Sequence, residues 1–118
     1  MPDQPLRYVV LRHEEIENPH FDLMFETAPG SALATWRAAE WPLRMMLPLT
    51  HLPDHRPSYL TYEGELSGNR GWVRRVASGT HRVLSDHPIL FITELQDGTV
   101  LRLFRGPFAV AQILRPAQ

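Results

Sequence analysis

The residues of this chain best suited to chemistry are a histidine and an aspartate two positions apart, in the run His20-Phe21-Asp22-Leu23-Met24-Phe25-Glu26. Side chains at i and i+2 of a strand share a face, so His20 and Asp22 can approach one metal ion together. His13 lies just after an apolar run, and a short connection can bring its imidazole to the same place. Two imidazoles and one carboxylate leave coordination positions open for water and substrate, a donor set that suits Mn²⁺, Fe²⁺ or Zn²⁺. At such a position a water is acidified or a phosphoryl oxygen polarised. A His-x-Asp pair on a strand is equally a hydrogen-bonded polar face in which the carboxylate orients the imidazole. Spacing alone leaves both readings open.

These residues need strands to position them, and the chain reads as nearly all strand. Eleven prolines and seven glycines punctuate 118 residues, and the runs between them are short and rich in Val, Ile, Leu, Tyr, Phe and Thr. That pattern predicts an all-β barrel or sandwich. Arg7–Arg12 reads as the first strand. Along His20–Glu26, Phe21, Leu23 and Phe25 face one way and His20, Asp22, Met24 and Glu26 the other. Ala32–Arg37 is a third strand, with a short helix between Ala32 and Glu40 as the alternative. Residues 38–57, with four prolines, read as a long irregular connection containing one short strand near Met45–Leu49. Further strands are expected over Ser58–Leu66, Gly71–Val76, Gly79–Leu84 and Phe108–Leu114. Asp97-Gly98, between Ile89–Leu95 and Val100–Phe104, predicts a hairpin with a two-residue turn.

One domain is expected over 1–118, with residues 1–6 flexible. The absence of cysteine excludes disulfides and thiolate metal sites and fits a reducing cytoplasm. No apolar run reaches the ~20 residues that span a bilayer, and the polar start lacks the pattern of a secretory signal. A soluble cytoplasmic protein, monomeric and without a membrane partner, is therefore expected. The net charge of −1 is unpromising for nucleic-acid binding by counterion release. Arg70, Arg74 and Arg75, with Arg102, Arg105 and Arg115, form either a local basic face or solvated arginines on exposed strands. His51, His81 and His87 read as surface or loop histidines, and Met45-Met46 as core filling. Trp36, Trp41 and Trp72 are core or rim packing, with base stacking the alternative. Glu63 is a partner for a metal-bound histidine or part of a strand-end turn.

Several segments in order resemble the 3′-phosphoesterase domain of bacterial DNA ligase D. Tyr8–Glu14 followed by Pro19–Glu26 is similar to that family's strand ending in Gln-x-His-Asp and its His-Tyr-Asp-x-Arg-Leu-Glu strand. Leu33–Trp36 resembles its leucine-x-Ser-Trp strand. His55-Arg56-Pro57-Ser58-Tyr59, then Tyr62-Glu63-Gly64, resembles His-Pro-x-x-Tyr followed by Phe-Glu-Gly. The resemblance runs from about Arg7 to Arg115. It implies a compact closed β-barrel of about eight strands with an open crescent groove. It also implies Mn²⁺-dependent removal of 3′-ribonucleotides and 3′-phosphates from DNA ends, with Zn²⁺ or another divalent metal as the alternative. On it, His13, His20 and Asp22 hold the metal, His55 contacts the scissile phosphate as general acid or transition-state stabiliser, and Tyr59 hydrogen-bonds there. The implied partners are nucleic-acid 3′ ends and a DNA ligase or other repair proteins.

The departures fall on the phosphate side. The family's arginine two residues after the aspartate is Met24, its glutamine before the metal histidine is Leu11, and its lysine after the tryptophan falls at Glu40. Methionine cannot replace a bidentate guanidinium. Substitutes are sought among Arg12, Arg44 and Arg56, with Arg37 a further possibility. Three readings follow: a metal-dependent phosphoesterase; a non-catalytic metal- or nucleic-acid-binding module on the same fold; and, as an outside alternative, a small non-haem iron oxygenase using His20, Asp22 and a distal histidine such as His81.

Overall fold

The computed structural model describes residues 5–107 and 109–117. They form a single antiparallel sheet that closes into a ring. Its strands are β1 (Leu6–Glu14), β2 (His20–Glu26), β3 (Leu33–Ala38), β4 (Leu47–His55), β5 (Gly64–Glu65), β6 (Trp72–His87), β7 (Leu90–Leu95), β8 (Val100–Phe104) and β9 (Val110–Arg115), with a 3₁₀ turn at Pro57–Leu60. Neighbours run β1-β2-β3-β4-β9-β8-β7-β6, and β6 returns to β1; β5 adds a two-residue rung on β6. Eight strands thus close the ring, as expected. No helix among the described residues is long and apolar enough to cross a membrane.

The period of two sorts the side chains. Tyr8, Val10, Leu23, Phe25, Ala34, Trp36, Phe91, Leu101, Leu103 and Ala111 point inward and form the main core. Phe25, Trp36 and Phe91 meet ring to ring at centroid distances of 5.5–5.9 Å. The Arg105 guanidinium lies over Trp36 and Phe91 at 5.4 and 5.5 Å, and Trp36 Nε1 donates to the Phe104 carbonyl. A second apolar cluster lies on the outer face of the same strands: Val9, Leu11, Met24, Leu33, Leu60 and Val73, with Tyr59 and Leu66 at its margin. The 3₁₀ turn lays Leu60 onto it. The unbroken run Tyr8-Val9-Val10-Leu11 is what this demands, because β1 is covered on both faces.

Several strand boundaries differ from the sequence-based expectation, each for a local reason. Residues 47–55 form a nine-residue strand, although Pro48 and Pro53 lie within it. Among the described residues its pairing with β9 covers Leu47 and Pro48, with a further hydrogen bond from the Leu49 amide to the Ala109 carbonyl, and a register irregularity opposite Leu33–Thr35 accommodates Pro53; proline is tolerated at such edges and bulges. Ser58–Leu60 is 3₁₀, not extended: the Ser58 carbonyl accepts from the amides of Thr61 and Tyr62. Gly71–Val76 and Gly79–Leu84 are parts of one long strand, whose bulge at Val76 lets it follow β1 and then β7. Ala32–Glu40 contains strand, not helix. The Asp97-Gly98 hairpin has three loop residues, Gln96–Gly98, since Leu95 pairs with Thr99 and the Gly98 amide donates to Leu95; Gly98, at φ 94°, closes it. Leu6 already belongs to β1. Residues 1–4 and Phe108 lie outside the described residues.

Most of the arginines that could form a basic face are paired. Arg74 pairs with Glu14, Arg82 and Arg115 with Glu94, and Arg105 with Asp86, while Arg102 bonds Gln112. Of the three tryptophans, Trp36 is core, Trp41 packs against the core, and Trp72 is exposed.

His81 is a buried histidine, not a surface one. It is 5% exposed, among the rings of Tyr8, Phe25 and Phe91. The Thr93 hydroxyl donates to the Arg82 carbonyl and accepts from His81 Nδ1–H at 2.7 Å. Burial holds the His81 pKa below its usual 6.5, against the opposing influence of the Glu26 carbonyl and carboxylate. Below about pH 6.5 the unfolded chain takes this proton and the folded chain does not. Stability is therefore complete above pH 6.5 and falls by about 1.4 kcal/mol per unit below it, until the lowered folded pKa is reached. Urea unfolding at pH 7.5 and 5.5 should show this loss, and His81→Gln should flatten it. An unchanged slope in the variant would place the proton uptake elsewhere.

A candidate metal centre on the outer face of the barrel

β1 and β2 pair so that His13 stands opposite His20 and Leu11 opposite Asp22. His13, His20 and Asp22 therefore project from the outer face, and their donor atoms all lie within 4.8 Å of one another. His20 Nε2 is 3.4 Å from Asp22 Oδ2, and His13 Nδ1 is 4.0 Å from the same oxygen. Donors at ~2.1 Å from a shared ion are ~3.4 Å apart at a tetrahedral angle and ~4.2 Å apart when opposed, and the two distances to Asp22 fall in that range. His20 and Asp22 are 8% and 4% exposed, and His20 Nε2 and Asp22 Oδ1 are buried without a hydrogen-bond partner. Buried polar atoms are ordinarily satisfied; an ion would satisfy these.

Backbone carbonyls select the ring nitrogens. The Asn18 carbonyl is 2.9 Å from His20 Nδ1, and the Arg70 carbonyl is 2.6 Å from His13 Nε2. A carbonyl only accepts, so each contacted nitrogen carries the proton. The lone pairs of His20 Nε2 and His13 Nδ1 are left facing Asp22. Outer partners of this kind fix the tautomer of metal-binding histidines. Gly71 lets the Arg70 carbonyl approach: its φ is 83°, and a Cβ there would sit 2.2 Å from the Glu14 carbonyl oxygen.

A cleft of about 690 Å³ opens beside the cluster, lined by His13, His20, Glu17, Arg37, Thr50 and Arg70 among others. Arg37, opposite Asp22 on β3, places Nε 3.6 Å from Asp22 Oδ1. A larger cleft of about 980 Å³ lies at the other end of the β1–β2 pair, around His81, Gln96 and Asp97. Its walls hold none of the three clustered donors, and the chemistry is assigned to the smaller cleft for that reason.

The remaining sequence-derived candidates are dispersed. His55 and Tyr59 meet edge to face at 5.8 Å, and the Pro53 carbonyl holds His55 Nδ1 at 2.9 Å. Tyr59 and Arg56 line a separate recess of about 290 Å³ that also touches Arg70. His55 pairs with Leu33, which pairs with Glu26. Four residues of β2, roughly 13 Å of strand, separate Glu26 from Asp22. The apolar cluster containing Met24 and Leu11 fills the interval. Arg12 belongs to the opposite face of β1, with its guanidinium 4.7 Å from the Phe21 ring. Arg44 is bound to Glu40 through two contacts of 2.6 and 2.7 Å. Glu63 accepts from the Arg75 amide at 2.7 Å and is not a partner of the histidines. His51 faces Trp36 at 5.2 Å, with its pKa lowered by burial and then by Arg105.

Arg70 is the site residue that motif reading missed. It lies between the recognisable segments, and only the turn into β6 brings it beside His13. No family model matches the chain, and no curated protein matches it.

Proposed function

We propose that this protein is a divalent-metal-dependent phosphoesterase in which His13, His20 and Asp22 hold the ion, with Mn²⁺ the expected metal and Zn²⁺ the alternative. The observation that carries the reading is the convergence of three donors whose two imidazoles are turned toward Asp22 by the carbonyls of Asn18 and Arg70. When bound, the ion supplies Lewis acidity toward a phosphoryl oxygen. Asp22 supplies the negative charge of the ligand set, and Arg37 moderates it. Tyr59 and Arg56, in the adjoining recess, are donors for a longer substrate reaching past Arg70. His55, half-buried against Tyr59 and four strand residues away from Asp22, is proposed to anchor a longer substrate and not to transfer a proton at the ion. The resemblance to the ligase D phosphoesterase domain makes 3′-phosphate or 3′-ribonucleotide ends of DNA or RNA the proposed substrate, and a ligase or repair protein the proposed partner. The cysteine-free chain fits work in the cytoplasm as one domain.

A non-catalytic metal- or nucleic-acid-binding module on this fold is the second reading. It is favoured by Met24 and Leu11, buried in apolar surroundings where the family carries arginine and glutamine. A primer-template bearing a 3′-phosphate or a single 3′-ribonucleotide, incubated with protein and Mn²⁺, separates the two. Product that disappears with His20→Ala supports the enzyme. No product from protein that binds Mn²⁺ stoichiometrically supports the module.

A further inference from the structure

We propose that Arg37 and Arg70 form a two-sided clamp that holds a phosphate-class anion against the His13-His20-Asp22 cluster. The inference extends the metal-site reading, on which it rests for where the anion is held. Across the sheet the order is β3, β2, β1, β6. Arg37 on β3 flanks Asp22, and Arg70, just before β6, is bound through its carbonyl to His13. The two guanidinium-bearing residues thus stand on opposite sides of the cluster and line the same cleft.

Each retains capacity for a ligand. Arg37 is 3.6 Å from Asp22, an ion-pair distance that forms no hydrogen bond, and its side chain makes no hydrogen bond among the described residues. Arg70 spends Nε and Nη2 on Ser67, at 2.7 and 3.1 Å, which orients the guanidinium and leaves Nη1 free. Of the charged residues at the cleft, Arg37 and Arg70 together with a divalent ion would outweigh Asp22 and Glu17, although the Arg70 guanidinium is anchored on Ser67 at the cleft's boundary with the neighbouring recess. A planar guanidinium gives phosphate the paired hydrogen bonds that Met24 and the Arg44-tethered Glu40 cannot. Because Arg70 holds His13 through its backbone, a change of its side chain leaves that carbonyl contact in place.

If Arg37 were only the counter-ion of Asp22, removing it would change cation binding alone. A clamp predicts opposite signs for two ligands. Mn²⁺ is titrated first, with free ion followed by electron paramagnetic resonance, and inorganic phosphate is then titrated calorimetrically. Wild type is compared with Arg37→Gln and Arg70→Gln. Arg37→Gln should bind Mn²⁺ as tightly as wild type or more so, while each variant loses about tenfold in phosphate affinity. Phosphate affinity equal to wild type in either variant overturns the two-sided clamp. If wild type takes up no Mn²⁺, the metal reading fails, and the phosphate titration of the metal-free protein then decides. Arginine-dependent binding keeps the clamp, and its absence removes it.

Discussion

Met24→Arg should lower the unfolding free energy by about 3–5 kcal/mol, the range expected when a charge is buried without a partner. Met24 is 1% exposed and packed among Val9, Leu11, Leu33 and Leu60. The side chains packed on it offer no carboxylate; those of Asp22 and Glu26, two residues to either side on the same face, are already engaged, by His20 and by the amides of Arg7 and Gly30, and the 3₁₀ turn closes the route to solvent. A guanidinium there must either stay desolvated or push the turn off the sheet. The substitution that makes the strand look more like the ligase D phosphoesterase is therefore expected to damage this protein, not to activate it. Met24→Leu, similar in volume and apolar, should cost less than about 1.5 kcal/mol. Urea unfolding of the three proteins checks both values. A Met24→Arg protein as stable as wild type, with tighter phosphate binding, would mean that the outer cluster yields easily and that an arginine site lies beneath it.

Asp22→Asn should weaken Mn²⁺ binding by about 100-fold or more, since loss of a direct ligand exceeds the 10–100-fold typical of outer partners. The variant is isosteric, so packing is preserved. In the metal-free protein its stability should be equal to wild type or higher, because a buried carboxylate oxygen without a hydrogen-bond partner is costly to fold. Arg37 loses a partner, but its side chain is 44% exposed and little is lost by solvating it. Saturating metal reverses the ranking. An ion at a hundred times its Kd adds about 2.7 kcal/mol to wild type, and the variant gains almost none. Thermal unfolding with and without Mn²⁺ reads this crossing. Equal metal stabilisation of both proteins would remove Asp22 from the ligand set.

The barrel was legible because period-two alternation and turn chemistry agree along most of the chain. His20, Asp22 and His13 were legible because strand geometry places i and i+2 on one face and an adjacent hairpin brings in the third donor. What escaped was the use of both faces of β1 and β2. Met24 shares a face with His20 and Asp22, and only the 3₁₀ turn carrying Leu60 makes that face apolar a few residues from the cluster. β4 escaped because prolines signal irregular chain, while an incompletely paired edge admits them. His81 escaped because a histidine between polar neighbours reads as exposed until β7 supplies Thr93. The arginines of the phosphate side were sought beside the motifs. Arg12 alternates to the wrong face and Arg44 is held by Glu40; Arg37, which was among the candidates, is set beside Asp22 by strand register, and Arg70 is brought to His13 by a turn.

The most direct test is a ¹⁵N imidazole spectrum of the protein titrated with Zn²⁺, a diamagnetic stand-in for Mn²⁺. Without metal, His13 should be protonated on Nε2 and His20 on Nδ1. One equivalent of Zn²⁺ should shift His13 Nδ1 and His20 Nε2 together, saturate at one equivalent, and leave His55, His81 and His87 unmoved. Opposite tautomers in the free protein, or metal-induced shifts that spare His13 and His20, would contradict the metal centre and the function built on it.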